Sequence, residues 1–264
     1  MIWQEFMFAC AMYPTDSSFL ENVEKEVLYQ VKRLNHHASI VLWGGSNENE
    51  AALNWYGQTK ENRDRYVVDF TELYVNTIYK SIRELETYTD TTGRPFVDTS
   101  PSNGVISLDP YTKVWGDPFN ETVGDTHHYD FESDCEDYET IPDSRFMSEF
   151  GFQSMPSFES FSKISVSSDW GMSSDLVLYR QRGYDYSMME SLMKKHFIVP
   201  PSREKIDKKL FDQFIFISQV QQGRCYEESI SKHRRSKHTS SKTMGTLYWQ
   251  LNDVWQGIDH IKKD

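Results

Sequence analysis

Apolar runs alternate with amphipathic stretches along the first hundred residues. Residues 2–12 and Ile40–Trp43 are rich in aromatic, aliphatic and β-branched side chains, which predicts buried strands. Between them, valine and leucine recur at helical spacing from Ser18 to about His36, and Ser18 with Glu21 would form a capping box. A strand followed by a helix and a second strand predicts an α/β fold.

The remainder of the chain continues this alternation. Val67–Leu85 has one apolar face and predicts a long second helix. Three short strands are predicted next, at 96–97, 126–129 and 146–147. Two helices and a last buried strand follow, at about Leu176–Phe197, Arg203–Ser236 and Leu247–Leu251. Parallel strands with polar residues massed at their C-terminal ends predict a (β/α)8 TIM barrel, although the six strand candidates are fewer than a closed barrel contains.

Two of the predicted strands end in a glutamate. SIVLWGGSNENE runs from a short apolar strand through two glycines to Glu48, and SRFMSEFGFQS places Glu149 after a second apolar run. Retaining glycoside hydrolysis requires two carboxyl groups, about 5 Å apart. The two strand ends therefore predict a site with paired carboxylates, although each glutamate could instead be a solvated loop residue.

Composition and charge narrow the classes of partner. The 264 residues suffice for one large domain, and an aromatic content of 14% suits both a core and a sugar-stacking cleft. A net charge of −12 disfavours nucleic acid as a partner. Apolar runs are shorter than the roughly 18 residues needed to cross a bilayer, so no membrane association is expected. The three cysteines are odd in number and widely spaced, which indicates neither a disulfide framework nor a metal site.

Five motifs carry a family resemblance. In order and with compatible spacing they are SIVLWGGSNENEAALNWY, RPFVDTSPSNG, GDTHHYDF, SRFMSEFGFQS and TMGTLYWQLNDVWQ. Together they resemble the catalytic barrel of family 2 glycoside hydrolases and, within it, the β-mannosidases of animals. The resemblance extends from about Trp3 to Gln256, which is nearly the whole chain.

The resemblance implies a domain organisation and an activity. Residues 1–256 would be a partial catalytic barrel, with about strands three to eight, and 257–264 a divergent C-terminal tail. The implied activity is retaining hydrolysis of terminal, non-reducing β-D-mannose from oligosaccharides of glycoproteins, without a cofactor, and the implied location is the lysosome. An inactive fragment, a carbohydrate-binding remnant and another family 2 exo-glycosidase, such as a β-galactosidase or a β-glucuronidase, remain alternatives.

The resemblance also assigns roles to residues. Glu48 resembles the acid/base at the end of barrel strand four, and Glu149 the nucleophile at the end of strand seven. Asn47 would hydrogen-bond the sugar 2-hydroxyl, and Trp249 would form an aromatic wall of the −1 sugar site. One or more of three neighbouring residues would line the site near the nucleophile: His127, His128 and Tyr129.

Several of these residues have simpler interpretations. Asn47 could merely support a turn, and Trp249 could belong to the core. His127 and His128 raise the possibility of a metal site, but successive residues of a strand point to opposite faces, so no metal is expected. Asn120 lies in an Asn-Glu-Thr sequon, which matters only if the protein is secreted or lysosomal.

Overall fold

The computed structural model describes residues 1–88, 93–180, 186–203 and 205–252. The chain divides into two compact units, Met1–His127 and His128–Asp264. The single catalytic domain expected for residues 1–256 stays a prediction, and the tail expected at 257–264 lies outside the described residues.

The first unit contains a parallel sheet. Its strands are β1 (Ile2–Ala9), β2 (Ile40–Asn47) and β3 (Phe96–Val97), in that order. The register pairs Ile2 with Ile40 and Trp43 with Phe96. The predicted strands are therefore present, and the parallel pairing confirms the α/β class. Three shorter strands follow: β4 (Ser107–Leu108), β5 (Tyr111–Thr112) and β6 (Thr126–His128).

The helices of the first unit follow the predicted apolar periodicity. α1 covers Ser17–Leu34, and two short helices come after β2, α2 (Asn49–Ala52) and α3 (Gly57–Glu61). The predicted long helix consists of α4 (Arg63–Phe70), a π-helical segment (Thr71–Tyr79) and α5 (Lys80–Tyr88). The cap of α1 differs from the prediction: the carboxylate of Asp16, not Ser18, accepts the amides of Ser18 and Phe19, at 3.1 Å each.

The core of the first unit fixes the position of β2. Val27 of α1 and Ile78 of the π-helical segment are fully buried beside Trp43 and Phe96 of the sheet. The ring of Tyr79 stacks on that of Phe96 with the centroids 4.6 Å apart. A fully buried side chain of this size contributes about 1.5–3 kcal/mol, so the sheet is held firmly from the helical side.

The second unit is mostly helical. Its strands are β7 (Met147–Phe150) and β8 (Thr246–Tyr248), which run parallel with Met147 opposite Thr246. Its helices are α6 (Phe158–Phe161), α7 (Asp175–Arg180), α8 (Tyr186–His196) and α9 (Lys208–Ser236), with short 3-10 turns at Tyr138–Thr140 and Ser167–Asp169. The predicted helix at 176–197 is thus described as α7 and α8, and residues 181–185 between them are outside the described residues.

Two expectations about the second unit were wrong. The last strand was predicted to be buried, but Leu247 is 45% exposed and Leu251 84% exposed. The prediction failed because an apolar run alone does not show which of its side chains a neighbouring element covers. The cysteine count predicted no disulfide framework, yet Cys135 and Cys225 are bonded across 90 residues, with their Cα atoms 5.2 Å apart. This bond ties a loop to α9, whose Phe211 lies in the core of the unit.

Within the described ranges, each unit has only small sheets and no closed barrel is seen. The TIM barrel therefore stays a prediction. Among those same residues, no helix combines the length and the apolar character that a membrane span requires.

One buried histidine of the second unit makes stability depend on pH. Burial lowers the pKa of His233 to about 4, and its Nδ1 lies 3.1 Å from the hydroxyl of Thr246. In the unfolded chain His233 takes up a proton near pH 6.5, whereas in the folded chain it does so only near pH 4. The contribution of the neutral His233 to the free energy of unfolding is therefore fully present above pH 6.5 and is lost as the pH falls towards 4. The loss amounts to about 3 kcal/mol at most.

We therefore expect the free energy of unfolding to fall between pH 6.5 and pH 4 and the His233→Gln variant to show a flatter dependence. Urea titrations followed by circular dichroism at several pH values measure this. The matched control is His238→Gln, an exposed histidine two residues after α9, which should leave the slope unchanged. An equal slope in wild type and His233→Gln would contradict the expectation.

Candidate active site

The end of β2 turns sharply at Glu48. Glu48 has φ 58° and ψ 13°, in the left-handed region that non-glycine residues seldom adopt. Its amide donates to the carbonyl of Ser100 at 2.7 Å, and its carbonyl accepts from Ala52 at 2.9 Å. Such a conformation costs about 1–3 kcal/mol and is typical of functional sites. The turn leaves the Glu48 side chain 2% exposed.

The carboxyl group of Glu48 meets a histidine. Its Oε1 lies 2.9 Å from Nδ1 of His127, and the thiol of Cys10 lies 3.6 Å from its Oε2. The amide of Asn47 donates to the same sulfur at 3.6 Å. Asn47, Glu48 and His127 are therefore neighbours, whereas the resemblance had placed His127 near the nucleophile, and the contact with Cys10 was not anticipated.

His127 continues into a chain of buried polar groups. Its Nε2 lies 3.0 Å from the hydroxyl of Ser100, which donates to Oδ2 of Asp125 at 2.7 Å. Oδ1 of Asp125 accepts from the amide of Ser102 at 3.0 Å and from its hydroxyl at 2.9 Å. We call Glu48, His127, Ser100 and Asp125 the Glu48 relay. Ser100 and Asp125 lie in the motifs DTSPSNG and GDTHHYDF, but nothing in those letters shows that they meet.

A buried ion cluster includes Glu50, two residues after Glu48 in the chain. Lys113 Nζ contacts Glu50 Oε2 at 2.7 Å and Asp98 Oδ2 at 2.8 Å, and all three side chains are at most 2% exposed. Burial raises the pKa of both carboxyl groups, with Lys113 opposing it. Burial would lower the pKa of Lys113, but the two carboxylates outweigh it and raise that pKa. The cluster joins the segment after β5 to α2, the helix that follows the Glu48 turn.

In the second unit, β7 presents Glu149. The side chain is 5% exposed, and its Oε1 accepts a hydrogen bond of 2.6 Å from the hydroxyl of Tyr129. A short bond of this kind is characteristic of an ionised acceptor. Tyr129, one member of the predicted trio, therefore contacts Glu149. His128 is half-buried, and burial lowers its pKa, with the charge of Asp130 opposing the shift.

A cavity of about 380 Å³ opens beside Tyr129 in the second unit. Trp249 lies on its wall and is 39% exposed, so it is not a core residue. Gly151 lines it too, and a Cβ there would lie 2.6 Å from the carbonyl oxygen of Trp249 and 3.0 Å from the ring of Tyr129. Only glycine fits this point, which explains the Glu-Phe-Gly sequence. The volume lies within the range of small-molecule sites.

Buried strand-end glutamates, one beside a histidine and one beside a tyrosine, define a class of site. Glycosidases use such carboxyl groups as proton donor and nucleophile. An aromatic wall around a polar cavity suits a sugar ring, which has apolar faces and polar edges. Each unit therefore contains a buried carboxyl group of the kind that glycoside hydrolases use.

Comparison with known proteins agrees with this class. No protein-family model matches the chain. The β-mannosidase of Rattus norvegicus is 42% identical over 265 residues, covering 97% of this chain and 29% of the rat protein. That of Bos taurus is 41% identical with the same coverage, and β-mannosidase A of Aspergillus niger is 30% identical over 280 residues.

A solved structure gives the same result. The β-D-mannosidase of Dictyoglomus thermophilum superposes with a TM-score of 0.76 at 30% identity, covering 98% of this chain and 28% of that one. Nearly the whole chain is thus similar in sequence and structure to part of these β-mannosidases. It spans 29% of the length of the curated relatives that it matches.

The ion cluster behind Glu48 yields a stability prediction. We expect Lys113→Met to lower the free energy of unfolding by about 3–5 kcal/mol, because it leaves two buried carboxyl groups without their cation. Urea unfolding followed by circular dichroism measures the change. Lys25→Met, at an exposed position of α1, is the matched control and should change stability by less than about 0.5 kcal/mol. Equal midpoints for the two variants would contradict the prediction.

Proposed function

We propose that the chain carries the catalytic site of a retaining β-mannosidase. The reaction is hydrolysis of terminal, non-reducing β-D-mannose from oligosaccharides. The observation that carries the proposal is the pair of buried strand-end glutamates in a chain that is 42% identical to the rat β-mannosidase over 97% of its length. Homology alone would fit an inactive relative, whereas two buried acids with hydrogen-bonded partners would be costly to retain without a role.

Glu149 is the proposed nucleophile. A nucleophile must be ionised to attack the anomeric carbon, and the 2.6 Å hydrogen bond from Tyr129 favours the ionised form. Attack forms an ester between Glu149 and the mannose and breaks the bond to the leaving oxygen. Tyr129 keeps the attacking carboxylate oriented.

Glu48 is the proposed acid and base. In the first step its proton passes to the leaving oxygen, and in the second step it takes a proton from the water that cleaves the ester. Its contact with His127 at 2.9 Å supports an exchangeable proton at this position. Asn47 would bond the sugar 2-hydroxyl and Trp249 would stack on the ring, with His127 and His128 contributing polar groups nearby.

The fold and setting form part of the same proposal. Residues 1–256 would build about strands three to eight of a TIM barrel as a partial catalytic domain, and no cofactor or metal takes part in the reaction. The lysosome is the proposed location, on the similarity to animal β-mannosidases. There the sequon at Asn120, which is exposed, would be available for glycosylation.

The proposal is tested with aryl β-D-mannosides. We expect hydrolysis with retained configuration, loss of turnover in Glu149→Gln, and a decrease of about 10²–10⁴-fold in Glu48→Gln. Azide should restore turnover in both variants, with β-mannosyl azide from Glu48→Gln and the α anomer from Glu149→Gln. Glu84→Gln, an exposed glutamate of α5, is the matched control and should keep full activity.

A panel of nitrophenyl glycosides separates the alternatives. Faster cleavage of a β-galactoside or β-glucuronide than of the β-mannoside would contradict the proposed substrate. Mannoside binding without turnover would indicate a carbohydrate-binding remnant, and full activity in Glu149→Gln would contradict the proposed nucleophile.

A further inference from the structure

We propose that Ser100 and Asp125 are positioning residues that act through His127 to hold an exchangeable proton on Glu48. The inference rests on the proposed role of Glu48 as the acid and base of the reaction. It assigns a function to two residues that the proposed mechanism does not otherwise use.

The geometry of the Glu48 relay is continuous. Its members are between 2% and 6% exposed, and the three links that join them measure 2.9, 3.0 and 2.7 Å. They come from three places in the first unit: the end of β2, the segment after β3, and the region of β6. Buried polar chains of this kind are strongly coupled, because the low local dielectric strengthens each bond.

The hydroxyl of Ser100 determines which groups of the Glu48 relay donate hydrogen bonds and which accept them. A hydroxyl has one proton to donate, and a carboxylate can only accept. The shorter contact, 2.7 Å to Asp125, therefore takes the Ser100 proton. Two further donors from Ser102 on the other oxygen of Asp125 are consistent with an ionised carboxylate. The Ser100 oxygen then faces Nε2 of His127 as an acceptor, so Nε2 carries a hydrogen.

This tautomer of His127 determines whether a proton lies in the contact between its Nδ1 and the carboxyl group of Glu48. With Nε2 protonated, the 2.9 Å contact between Nδ1 and Oε1 holds one proton. The proton belongs either to a carboxylic acid that donates to neutral imidazole or to an imidazolium that donates to a carboxylate. In both states the pair holds the proton that the leaving oxygen needs. A neutral ring with its hydrogen on Nδ1 would instead stabilise the carboxylate and leave no proton to give.

The same geometry favours the second half of the reaction. After the proton has passed to the leaving oxygen, the Nδ1 lone pair faces the Glu48 carboxylate. Two acceptors in contact without a hydrogen are unfavourable in a buried site, so the pair draws a proton from the attacking water. The hydroxide equivalent of that water joins the anomeric carbon, the ester to Glu149 breaks, and the proton is back in the contact. Each cycle therefore restores the relay.

The first test reads the tautomer directly and needs no turnover. The chain is labelled with ¹⁵N-histidine, and long-range ¹H–¹⁵N spectra report which ring nitrogen carries the hydrogen in each of the 8 histidines. His127→Gln identifies the His127 signals. We expect Nε2 of His127 to be protonated in the wild type, and an unprotonated Nε2 at neutral pH would overturn the proposal whatever the variants do.

Two serines provide a matched comparison. Ser100 and Ser102 are both buried and both donate to Asp125, but only Ser100 contacts His127. Ser100→Ala should move part of the His127 population to the Nδ1-protonated form, whereas Ser102→Ala should leave the spectrum of His127 as in the wild type. Equal effects of the two substitutions would contradict a specific role for Ser100.

The second test asks whether the relay supplies protons. An aryl mannoside with a poor leaving group needs the acid, whereas a dinitrophenyl mannoside does not. We expect Ser100→Ala to lower kcat/KM by about ten-fold for the poor leaving group and by less than about two-fold for the dinitrophenyl substrate. Equal losses for both substrates would indicate a merely structural role and overturn the proposal.

The two tests separate this proposal from the proposed function. If the wild type hydrolyses no mannoside while His127 shows the expected tautomer, the result contradicts the proposed function but supports the proposed arrangement of protons in the Glu48 relay. If mannosides are hydrolysed through Glu48 but Nε2 is unprotonated, the relay fails and the function stands.

Discussion

The hydrogen bond between Glu48 and His127 is the contact on which the account of the site depends. A carboxyl group that is 2% exposed would be costly to bury alone, and the imidazole at 2.9 Å gives it a partner. The side chain that makes this contact belongs to the residue at which β2 ends in a left-handed turn. A strained backbone and a buried acid thus coincide at one residue, and Trp43 anchors the preceding strand in the core.

The second unit also contains a buried carboxyl group, and this group has a different kind of hydrogen-bond partner. Glu149 accepts a hydrogen bond from the hydroxyl of Tyr129, a partner that donates without taking up a proton. A tyrosine favours the ionised state of its neighbour, and a histidine allows its neighbour to change state. Under the proposed mechanism, these partners would give the two glutamates the different protonation states that a double-displacement reaction needs.

Whether a feature of the fold or the site could be predicted from the sequence depends on how far apart in the chain its interacting residues lie. The strands at Ile40–Trp43 and Phe96–Val97 and the helix face at Val23, Val27 and Val31 follow from local apolar periodicity, and the structure has them. Local signals failed where partners lie far apart in the chain: the Cys135–Cys225 bond, the pairing of Lys113 with Glu50 and Asp98, and the link from Asp125 to Ser100. They also failed at β8, because an apolar run does not state what covers it. Glu48 and Glu149 were found from the apolar runs that lead into them, whereas the roles of Asn47 and Trp249 came from the family resemblance. The roles of all four residues stay predictions.

The most direct test of the central claim is covalent trapping of the sugar on Glu149. A 2-deoxy-2-fluoro-β-D-mannosyl fluoride reacts at the first step and resists the second, so the intermediate accumulates. Digestion and mass spectrometry then locate the label. The account predicts one fluoromannosyl group per chain, attached to Glu149 and absent from the Glu149→Gln variant. A label on another carboxyl group, or no label while mannoside is hydrolysed, would contradict it.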